Sequence, residues 1–270
     1  MSAAQAALNR MQVAAIKADI TALVPFDQVG RTSTCSRSGQ GCTDFLAGLV
    51  QLAFHDAGTY DKTTGTGGPD GCIDLNIDEN KGLKWITSVI APVFRKHSSV
   101  ISYADFVVLA ANTAIYVASG NAVTLPFNWG RTNGDDCAIA DHDKLPQAKK
   151  SLSHTQDVFV TRMGLTLQDI TALMGAHTIG RAEDANSGYS GAWDTTSAVW
   201  DNRYYSEMVG RPWVREVRAQ ATCHSMPSCA MRRAPERPTC TFVRYCDGRS
   251  GRDGGLPGLL TSAGLLSLQL

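Results

Sequence analysis

The sequence predicts an all-α protein built mainly from amphipathic helices. Three observations lead to this prediction: apolar residues recur at helical spacing through most of residues 1–210, strict apolar–polar alternation is nearly absent, and capping patterns precede several of the apolar stripes. The 270 residues are 43% hydrophobic and 19% charged, a composition typical of a globular protein with a sizeable core.

Six segments carry the apolar stripe expected of a helix with one buried face. In chain order they are Met1–Val24, a segment from the capping candidate Thr43 through Phe54, the stripe of Leu83, Ile86, Ile90 and Val93, a segment from Ser102 to about Ala118, Lys149–Met163, and a segment from Thr166 through His177. Thr166 and Asp169 have the spacing of a capping box, and Ser102 and Asp105 share that spacing.

The chain changes character near residue 210. Lysines and arginines balance the acidic residues overall, so no global field favours nucleic acid or a membrane. Residues 211–270, however, carry nine arginines, four acidic residues, no lysine and four of the eight cysteines. We therefore expect an atypical tail over 211–270, either poorly ordered or altered by a shifted reading frame, a retained intron or a mispredicted gene.

The location of the protein is open at this point. No apolar run is long enough to span a bilayer, and the N-terminal stripe is interrupted by Arg10, Lys17 and Asp19, unlike a secretory signal. We expect an intracellular protein, or a secreted one if the N-terminus is incomplete. Eight cysteines are many for the cytosol, but they fit either disulfides or buried thiols, and their pairing is left open.

Two histidines in apolar helical settings are the candidate functional residues. His55 follows Phe54 and lies one turn after Gln51, whereas the small residues around His177 leave room for a flat group to approach. Those small residues are Gly175, Ala176 and Gly180. Either histidine alone could be a hydrogen-bonded core residue. The sequence has no CxxCH, no His pair at i and i+4, and no G-x-S-x-G, which argues against covalent haem, a zinc helix and a serine hydrolase.

The motifs around both histidines resemble the plant, fungal and microbial haem peroxidase superfamily, closest to its cytochrome c and ascorbate peroxidase branch. Leu49–Gly71 is similar to the distal-histidine helix and loop of that family, and Met163–Ala182 to its proximal-histidine helix. Further matching segments follow the family's order: Asp78–Ile86, Ile101–Ile115, Gly130 with Arg131, Lys144–Ala148, Ser187–Trp193 and Trp200–Val209. The resemblance covers about residues 5–210. It implies a two-lobed helical fold, with a distal lobe over about 1–135 and a proximal lobe over about 136–210.

The resemblance assigns roles to the residues near the two histidines. His177 would be the axial ligand of a non-covalent haem b, and His55 the distal acid/base that moves a proton between the oxygens of hydrogen peroxide. Asn80 would accept a hydrogen bond from the other His55 nitrogen, although a helix cap before Lys81 explains it equally well. Phe54 would pack over the haem.

Three departures from the family pattern affect the expected activity. Gln51 stands where the family has a distal arginine, and a neutral amide cannot supply the charge that stabilises a departing hydroxide. No tail aspartate matches the usual partner of the proximal histidine. Asn186 replaces the substrate arginine of ascorbate peroxidases, so ascorbate is not favoured as donor. Trp193 matches the tryptophan that carries a radical in cytochrome c peroxidases, or is a buried anchor.

The resemblance also points to a cation near the proximal histidine. Thr178, Asp194, Thr196 and Asp201 match the family's proximal cation site and would suit Ca²⁺ better than K⁺, although the two aspartates could be ordinary caps. A distal Ca²⁺ site built from Asp56, Gly68 and Asp70 is not expected, because Cys72 stands where secreted branches have serine.

We therefore predict a haem peroxidase, an oxidoreductase that reduces hydrogen peroxide and takes single electrons from an unidentified small-molecule or protein donor. Gln51 in place of the distal arginine would make this reaction slow. We expect a monomer without nucleic-acid partners. Two alternatives remain. Gln51 and the tail would also suit a haem-binding sensor or store with little turnover, and the cysteines would suit a Cys-rich binding module that holds zinc or disulfides.

Overall fold

The computed structural model describes residues 8–24, 42–135, 137, 144–147, 150–187 and 189–210 of the chain. The expected atypical tail, 211–270, lies outside the described residues, as do its four cysteines. Within the described part, α-helices dominate and the only sheet is a two-stranded hairpin, so the all-α prediction is confirmed.

The described helices and strands follow the predicted stripes closely. The helices are α1 (Arg10–Ala22), α2 (Cys42–Ala57), α3 (Leu83–His97), α4 (Tyr103–Ala118), α5 (Leu152–Gln156), α6 (Leu167–Met174), α7 (Asp184–Ser187) and α8 (Arg203–Gly210). Two 3-10 turns cover Asp78–Asn80 and Gly175–Thr178, and a π-helical segment covers Asp157–Arg162. The strands are β1 (Arg181–Ala182) and β2 (Gly191–Ala192), which pair antiparallel.

Local sequence explains where several helices begin. The Ser102 side chain accepts a hydrogen bond from Asp105 N and starts α4, as its spacing predicts. Thr166 and Asp169 form the predicted capping box at the start of α6, each side chain bonding the other's main chain. Asn9 and Gln12 make a similar box at α1.

The larger apolar core forms where α1, α2, α3 and α4 pack together. The stripe that predicted α3 is buried in it, and its members Leu83, Ile86 and Ile90 are fully inaccessible to solvent. Phe106 and Leu109 from α4 are equally buried. Because α2 is packed on both α3 and α4, its last turn is held firmly in the fold, and this turn carries His55.

The structure departs from the predicted helices at two places. The helix expected over Lys149–Met163 is α-helical only from Leu152 to Gln156 and continues as the π-helical segment. The helix expected to reach His177 ends at Met174, because the chain tightens into a 3-10 turn at Gly175. His177 therefore lies just beyond α6 and not on its face.

One disulfide joins two distant parts of the described chain. Cys72, in the loop after α2, is bonded to Cys137, with 4.8 Å between their Cα atoms and a sequence separation of 65. The disulfide explanation therefore holds for this pair of cysteines. Among the described residues, no helix is both long and apolar enough to cross a membrane.

Candidate active site

His55 lies in the last turn of α2, with only 2% of its surface exposed. The turn Asp78–Asn80 brings Asn80 against it, so that His55 Nδ1 and Asn80 Oδ1 are 2.9 Å apart. Asn80 is held in turn, because its Nδ2 donates to the main-chain oxygen of Asp74 at 2.8 Å. The side chain of Asn80 thus binds a histidine and does not cap α3, whose first turn follows Gly82.

These contacts fix the proton of the His55 imidazole. Since Asn80 Nδ2 is used as a donor, Asn80 Oδ1 faces Nδ1 as an acceptor, and Nδ1 must carry the hydrogen. Nε2 then has a free lone pair, and no described residue hydrogen-bonds to it. Burial lowers the pKa of His55 to about 4, against the opposing effect of the Asn80 hydrogen bond. The imidazole is therefore neutral near pH 7, with a basic nitrogen available.

Gln51 and Phe54 lie on the same turns of α2 as His55. Gln51 is buried, with 8% of its surface exposed, and precedes His55 by one helical turn, so the two side chains project from the same face. The Phe54 ring meets the His55 ring edge-on, with 6.0 Å between centroids. A neutral amide and an aromatic ring are thus the neighbours of His55 on α2, and this helix contains no lysine or arginine.

His177 lies in the 3-10 turn after α6 and is completely buried. Its Nδ1 is 2.9 Å from the main-chain oxygen of Met174, and because a carbonyl can only accept, Nδ1 carries the hydrogen. The Trp193 ring meets the imidazole edge-on at 4.5 Å, and the Tyr204 ring stacks on it at 5.2 Å between centroids. His177 is therefore held on several sides by main chain and aromatic rings.

The Nε2 atom of His177, like that of His55, has a lone pair available to a ligand. No described residue hydrogen-bonds to its Nε2, which is buried. Burial lowers the pKa of His177 to about 4, with the Met174 hydrogen bond acting in the opposite direction. A fully buried lone pair without a protein partner is costly unless a ligand uses it. The arrangement can bind a metal ion or a proton donor at Nε2.

A second apolar cluster connects the surroundings of the two histidines. It contains Phe54 next to His55 and both Trp193 and Tyr204 next to His177. Its other buried members are Leu145, Val158, Phe159, Met174 and Ala182. Two neutral imidazoles with available nitrogens thus border one apolar region, which is suited to a large, flat and mostly apolar ligand.

The residues expected to bind a proximal cation are brought together beside His177. Thr178 Oγ1 is 3.0 Å from both Asp194 Oδ2 and Asp201 Oδ1, and 3.3 Å from the Val199 main-chain oxygen. Thr196 Oγ1 is 2.9 Å from Asp201 Oδ2. Desolvation raises the pKa of Asp194. At Asp201 desolvation acts the same way, but hydrogen bonds from Arg203, Thr196 and Thr178 lower the pKa overall.

Both aspartates also accept main-chain hydrogen bonds of the kind expected from capping residues. Asp201 Oδ1 accepts from Arg203 N at the start of α8, and Asp194 Oδ1 accepts from Thr196 N. Each carboxylate therefore shapes its own loop and at the same time faces Thr178. Among the described residues no group of three or more His, Cys, Asp or Glu side chains could hold a metal, so a cation here would depend on hydroxyl and main-chain oxygens.

The distal loop has no comparable cluster. Both carboxylate oxygens of Asp56 accept from Gly71 N, at 2.9 and 3.0 Å, and Asp70 Oδ1 accepts from Cys72 N. The sulfur of Cys72 is bonded to Cys137. The two carboxylates thus accept main-chain hydrogen bonds and the Cys72 sulfur is used in a disulfide, while the expected lack of calcium in this loop stays a prediction.

Three features of the site were not predicted from sequence. Gly175 does not leave room for a flat ligand, because the side chain of Tyr205 occupies the space beside its Cα atom. A Cβ atom at position 175 would lie 2.8 Å from Tyr205 Oη. Tyr204 and the Met174 carbonyl, which position His177, were also missed. A main-chain acceptor leaves no signal in the residue type, but Tyr204 lies in the matching segment Trp200–Val209 and could have been noticed there.

Fold and site define the chain as a helical protein with a buried, histidine-bordered apolar region. Comparison with known proteins is consistent with this class. The family model described as "Peroxidase" matches residues 34–226, most of the chain. The chain therefore belongs to the peroxidase family, and the resemblance inferred from the motifs is confirmed.

Similar curated proteins belong to the branch expected from sequence. The chain is 39% identical over 165 residues to L-ascorbate peroxidase 2, cytosolic, of Arabidopsis thaliana, which covers 60% of this chain and 63% of that protein. It is 39% identical over 170 residues to cytochrome c peroxidase, mitochondrial, of Aspergillus fumigatus, covering 61% and 45%. It is 37% identical over 199 residues to L-ascorbate peroxidase 5, peroxisomal, of Arabidopsis thaliana, covering 72% and 68%. The chain thus spans about half to two thirds of the length of these relatives.

Proposed function

We propose that the protein is a haem-dependent peroxidase that reduces hydrogen peroxide and takes single electrons from a donor. The observation that carries this proposal is the pair of buried, neutral histidines whose rings contact members of one apolar cluster and whose Nε2 atoms have no hydrogen-bond partner among the described residues. The family membership and the names of the relatives support it. We propose that residues 1–210 form the two lobes of the peroxidase domain; the family match itself extends to residue 226, into the segment of atypical composition.

The residues around His177 fit haem. A haem bound there would supply a redox-active iron that reacts with peroxide and accepts electrons from a donor. His177 Nε2 would be its protein ligand, since the Nδ1 hydrogen is already directed to Met174. The rings of Phe54 and Trp193 would contact its apolar surface, because they belong to the cluster that borders both histidines.

His55 would move the proton of hydrogen peroxide. Its Nε2 lone pair can take a proton from one peroxide oxygen and return it to the other, which leaves as water. Asn80 keeps this nitrogen unprotonated by accepting the hydrogen of Nδ1. A pKa of about 4 leaves the imidazole neutral, and thus active as a base, over the whole physiological range.

Gln51 favours a second candidate function. Its amide can donate a hydrogen bond to the departing oxygen but brings no positive charge, and losing a charged donor typically costs 10²–10³ in rate. A haem-binding sensor or store with little turnover would need no such charge. Slow peroxidase activity and sensing therefore share one site and differ in the rate of reaction with peroxide.

We further propose a cation between Thr178, Thr196, Asp194 and Asp201. Each threonine hydroxyl can donate only one hydrogen bond, so the two hydroxyls cannot satisfy all the carboxylate and carbonyl oxygens near them. A cation would balance this excess of acceptors, and the carboxylates favour Ca²⁺ over K⁺. It would also fix the loop that carries Trp193 beside His177.

Residue 186 bears on the choice of electron donor. Relatives are named for ascorbate and for cytochrome c. In this chain Asn186 replaces the substrate arginine of the ascorbate branch, and its amide packs against Gly82, where a Cβ would lie 2.9 Å from Asn186 Nδ2. We therefore do not favour ascorbate. The relatives' cytosolic, peroxisomal and mitochondrial names support an intracellular location.

The decisive experiment is a peroxide titration of haem-loaded protein followed at the Soret band. We expect the band to change within seconds in the wild type, to return when a one-electron phenolic donor is added, and to change far more slowly in His55→Leu. A wild-type band that stays unchanged in excess peroxide, with haem still bound, would reject the peroxidase and favour the sensor.

A further inference from the structure

Arg162 binds three main-chain oxygens from two separate parts of the chain. It ends the π-helical segment, and its Nη2 donates to the main-chain oxygen of Gly58 at 2.8 Å and to that of Lys144. Its Nη1 donates to the main-chain oxygen of Tyr60. Gly58 and Tyr60 follow α2 directly, so one side chain ties the end of this helix to the π-helical segment and to the segment around Lys144.

The hydrogen bond to Gly58 acts on the turn of α2 that carries His55. The Gly58 N–H donates to the main-chain oxygen of Phe54 at 2.7 Å, which extends the helical hydrogen-bond pattern one residue beyond Ala57. The Gly58 carbonyl is one of the groups that a helix end leaves without an intrahelical donor, and Arg162 supplies this donor. The helix dipole also favours a cation at this end. Arg162 therefore fixes the helix end three residues after His55.

The loop after α2 and the π-helical segment donate hydrogen bonds to each other in both directions. Lys62 N donates to the main-chain oxygen of Arg162 at 2.9 Å, and Lys62 Nζ donates to that of Val160 at 3.1 Å. The guanidinium of Arg162 is therefore held in place by its own main chain, which makes it a suitable support for the helix end.

The same guanidinium interacts with the turn that carries Asn80. Glu79 precedes Asn80 in the turn Asp78–Asn80, and both of its carboxylate oxygens are shielded from solvent. Desolvation lowers the pKa of Arg162, and the negative charges of Asp61 and Glu79 act in the opposite direction. Because salt screens partly buried charges only weakly, the charge of Glu79 draws its turn towards Arg162.

We propose that Arg162 is a positioning residue for the reaction with peroxide. Its guanidinium holds the end of α2 on one side and, through Glu79, the turn with Asn80 on the other. It thereby keeps Asn80 Oδ1 at His55 Nδ1, the contact that leaves Nε2 able to accept a proton. This inference rests on the role proposed for His55 above. Arg162 acts through other residues and is not itself a catalytic residue.

Three variants of haem-loaded protein test this role by stopped-flow mixing with peroxide. Arg162→Gln removes the charge and the fork of donors, so its rate constant should fall roughly tenfold, less than the ~10²-fold that a misplacement of about 1 Å can cost. Arg162→Lys keeps the charge and should recover part of this loss. Arg131→Gln is the matched control, since Arg131 binds Asp105 on α4 at 2.9 Å, and its rate constant should stay within about twofold of the wild type.

The rate constant separates positioning from stability, because a merely structural arginine would change the yield of haem-loaded protein and not its rate. No fall in Arg162→Gln, no recovery in Arg162→Lys, or an equal fall in Arg131→Gln would overturn the inference.

Glu79→Gln tests the contact on the Asn80 side. It keeps the shape of the side chain and removes its charge, so the rate should fall in the wild-type background. It should not fall further in Arg162→Gln, where the partner charge is already gone. Equal fold-losses in both backgrounds would contradict the inference.

Haem-free protein gives a readout that does not depend on haem. With ¹⁵N-labelled histidine, NMR shows which ring nitrogen of His55 carries the hydrogen, and His55→Leu assigns the signal. We expect an Nδ1 hydrogen in the wild type that exchanges with water several times faster in Arg162→Gln and in Glu79→Gln. Exchange as slow as in the wild type would overturn the inference, and Glu79→Gln alone decides if Arg162→Gln does not fold. A haem-loaded wild type that keeps this hydrogen and does not react with peroxide would instead reject the proposed function.

Discussion

Replacing Gln51 by arginine tests how much of the reaction depends on charge at the distal position. Gln51 precedes His55 by four residues on α2, so the side chains of the two positions are neighbours, about 5–6 Å apart at Cβ. A guanidinium there would reach the oxygen that leaves peroxide. Arginine is also a good helix former, so α2 should tolerate it.

The magnitude follows from the burial of the site. Two unit charges about 4 Å apart at an effective dielectric constant of about 20 interact by roughly 4 kcal/mol. Burying the new cation lowers this gain, because Gln51 is only 8% exposed and the charge must leave water. We expect about 3 kcal/mol to remain in the transition state, which corresponds to a rate increase of roughly 10²-fold.

The assay is stopped-flow mixing of haem-loaded protein with hydrogen peroxide, monitored at the Soret band. Gln51→Met is the matched control, since it keeps length and neutrality but removes the amide, and its rate should fall by roughly 2–12-fold for one lost neutral hydrogen bond. If Gln51→Arg retains haem and shows no gain, the pocket is not arranged for peroxide cleavage, and the sensor becomes the better proposal.

Three further predictions concern Asn80, His55 and the cation. Asn80→Val leaves the Nδ1 hydrogen of His55 without its acceptor, so the rate of reaction with peroxide should fall roughly 10–100-fold in the same stopped-flow assay. An unchanged rate would mean that this hydrogen bond does not contribute to the reaction with peroxide. The pKa of His55 falls from 6.5 to about 4 on folding. Between these two pH values His55 is protonated in the unfolded chain but not in the native chain, so lowering the pH favours unfolding. Urea unfolding of haem-free protein should therefore show the wild type losing about 3 kcal/mol relative to His55→Leu between pH 6.5 and 4, and equal pH slopes would contradict this. Calcium at about 100 times its Kd should raise the free energy of unfolding of the wild type by about 3 kcal/mol and that of Asp201→Asn much less, with equal effects rejecting the site.

Much of the fold was predictable because its signals are local. The stripe of Leu83, Ile86, Ile90 and Val93 places α3 correctly, and the capping residues Ser102 and Thr166 mark the first turns of α4 and α6. The hairpin was missed because two-residue strands are too short to show alternation. The end of α6 was missed because the apolar stripe continues to His177 although the backbone has tightened.

The site was predictable only where side chains carry the information. The contact between His55 and Asn80, 25 residues apart, was inferred from the ordered motifs and not from local pattern. The pairing of Cys72 with Cys137 could not be deduced, since eight cysteines allow about 105 connectivities and spacing alone does not select among them. The Met174 carbonyl was invisible because every residue type has one, and only the backbone path brings it to His177.

The central claim is that His177 Nε2 is the protein's ligand to haem. It is tested by titrating haem into the haem-free wild type and His177→Ala while recording absorption spectra and haem transfer to an excess of a haem-binding acceptor protein. We predict one haem per wild-type chain with a five-coordinate, high-spin ferric spectrum, and at least about tenfold faster loss from His177→Ala, because the bond to iron is removed. The same spectrum and the same rate of loss in both proteins would contradict the assignment.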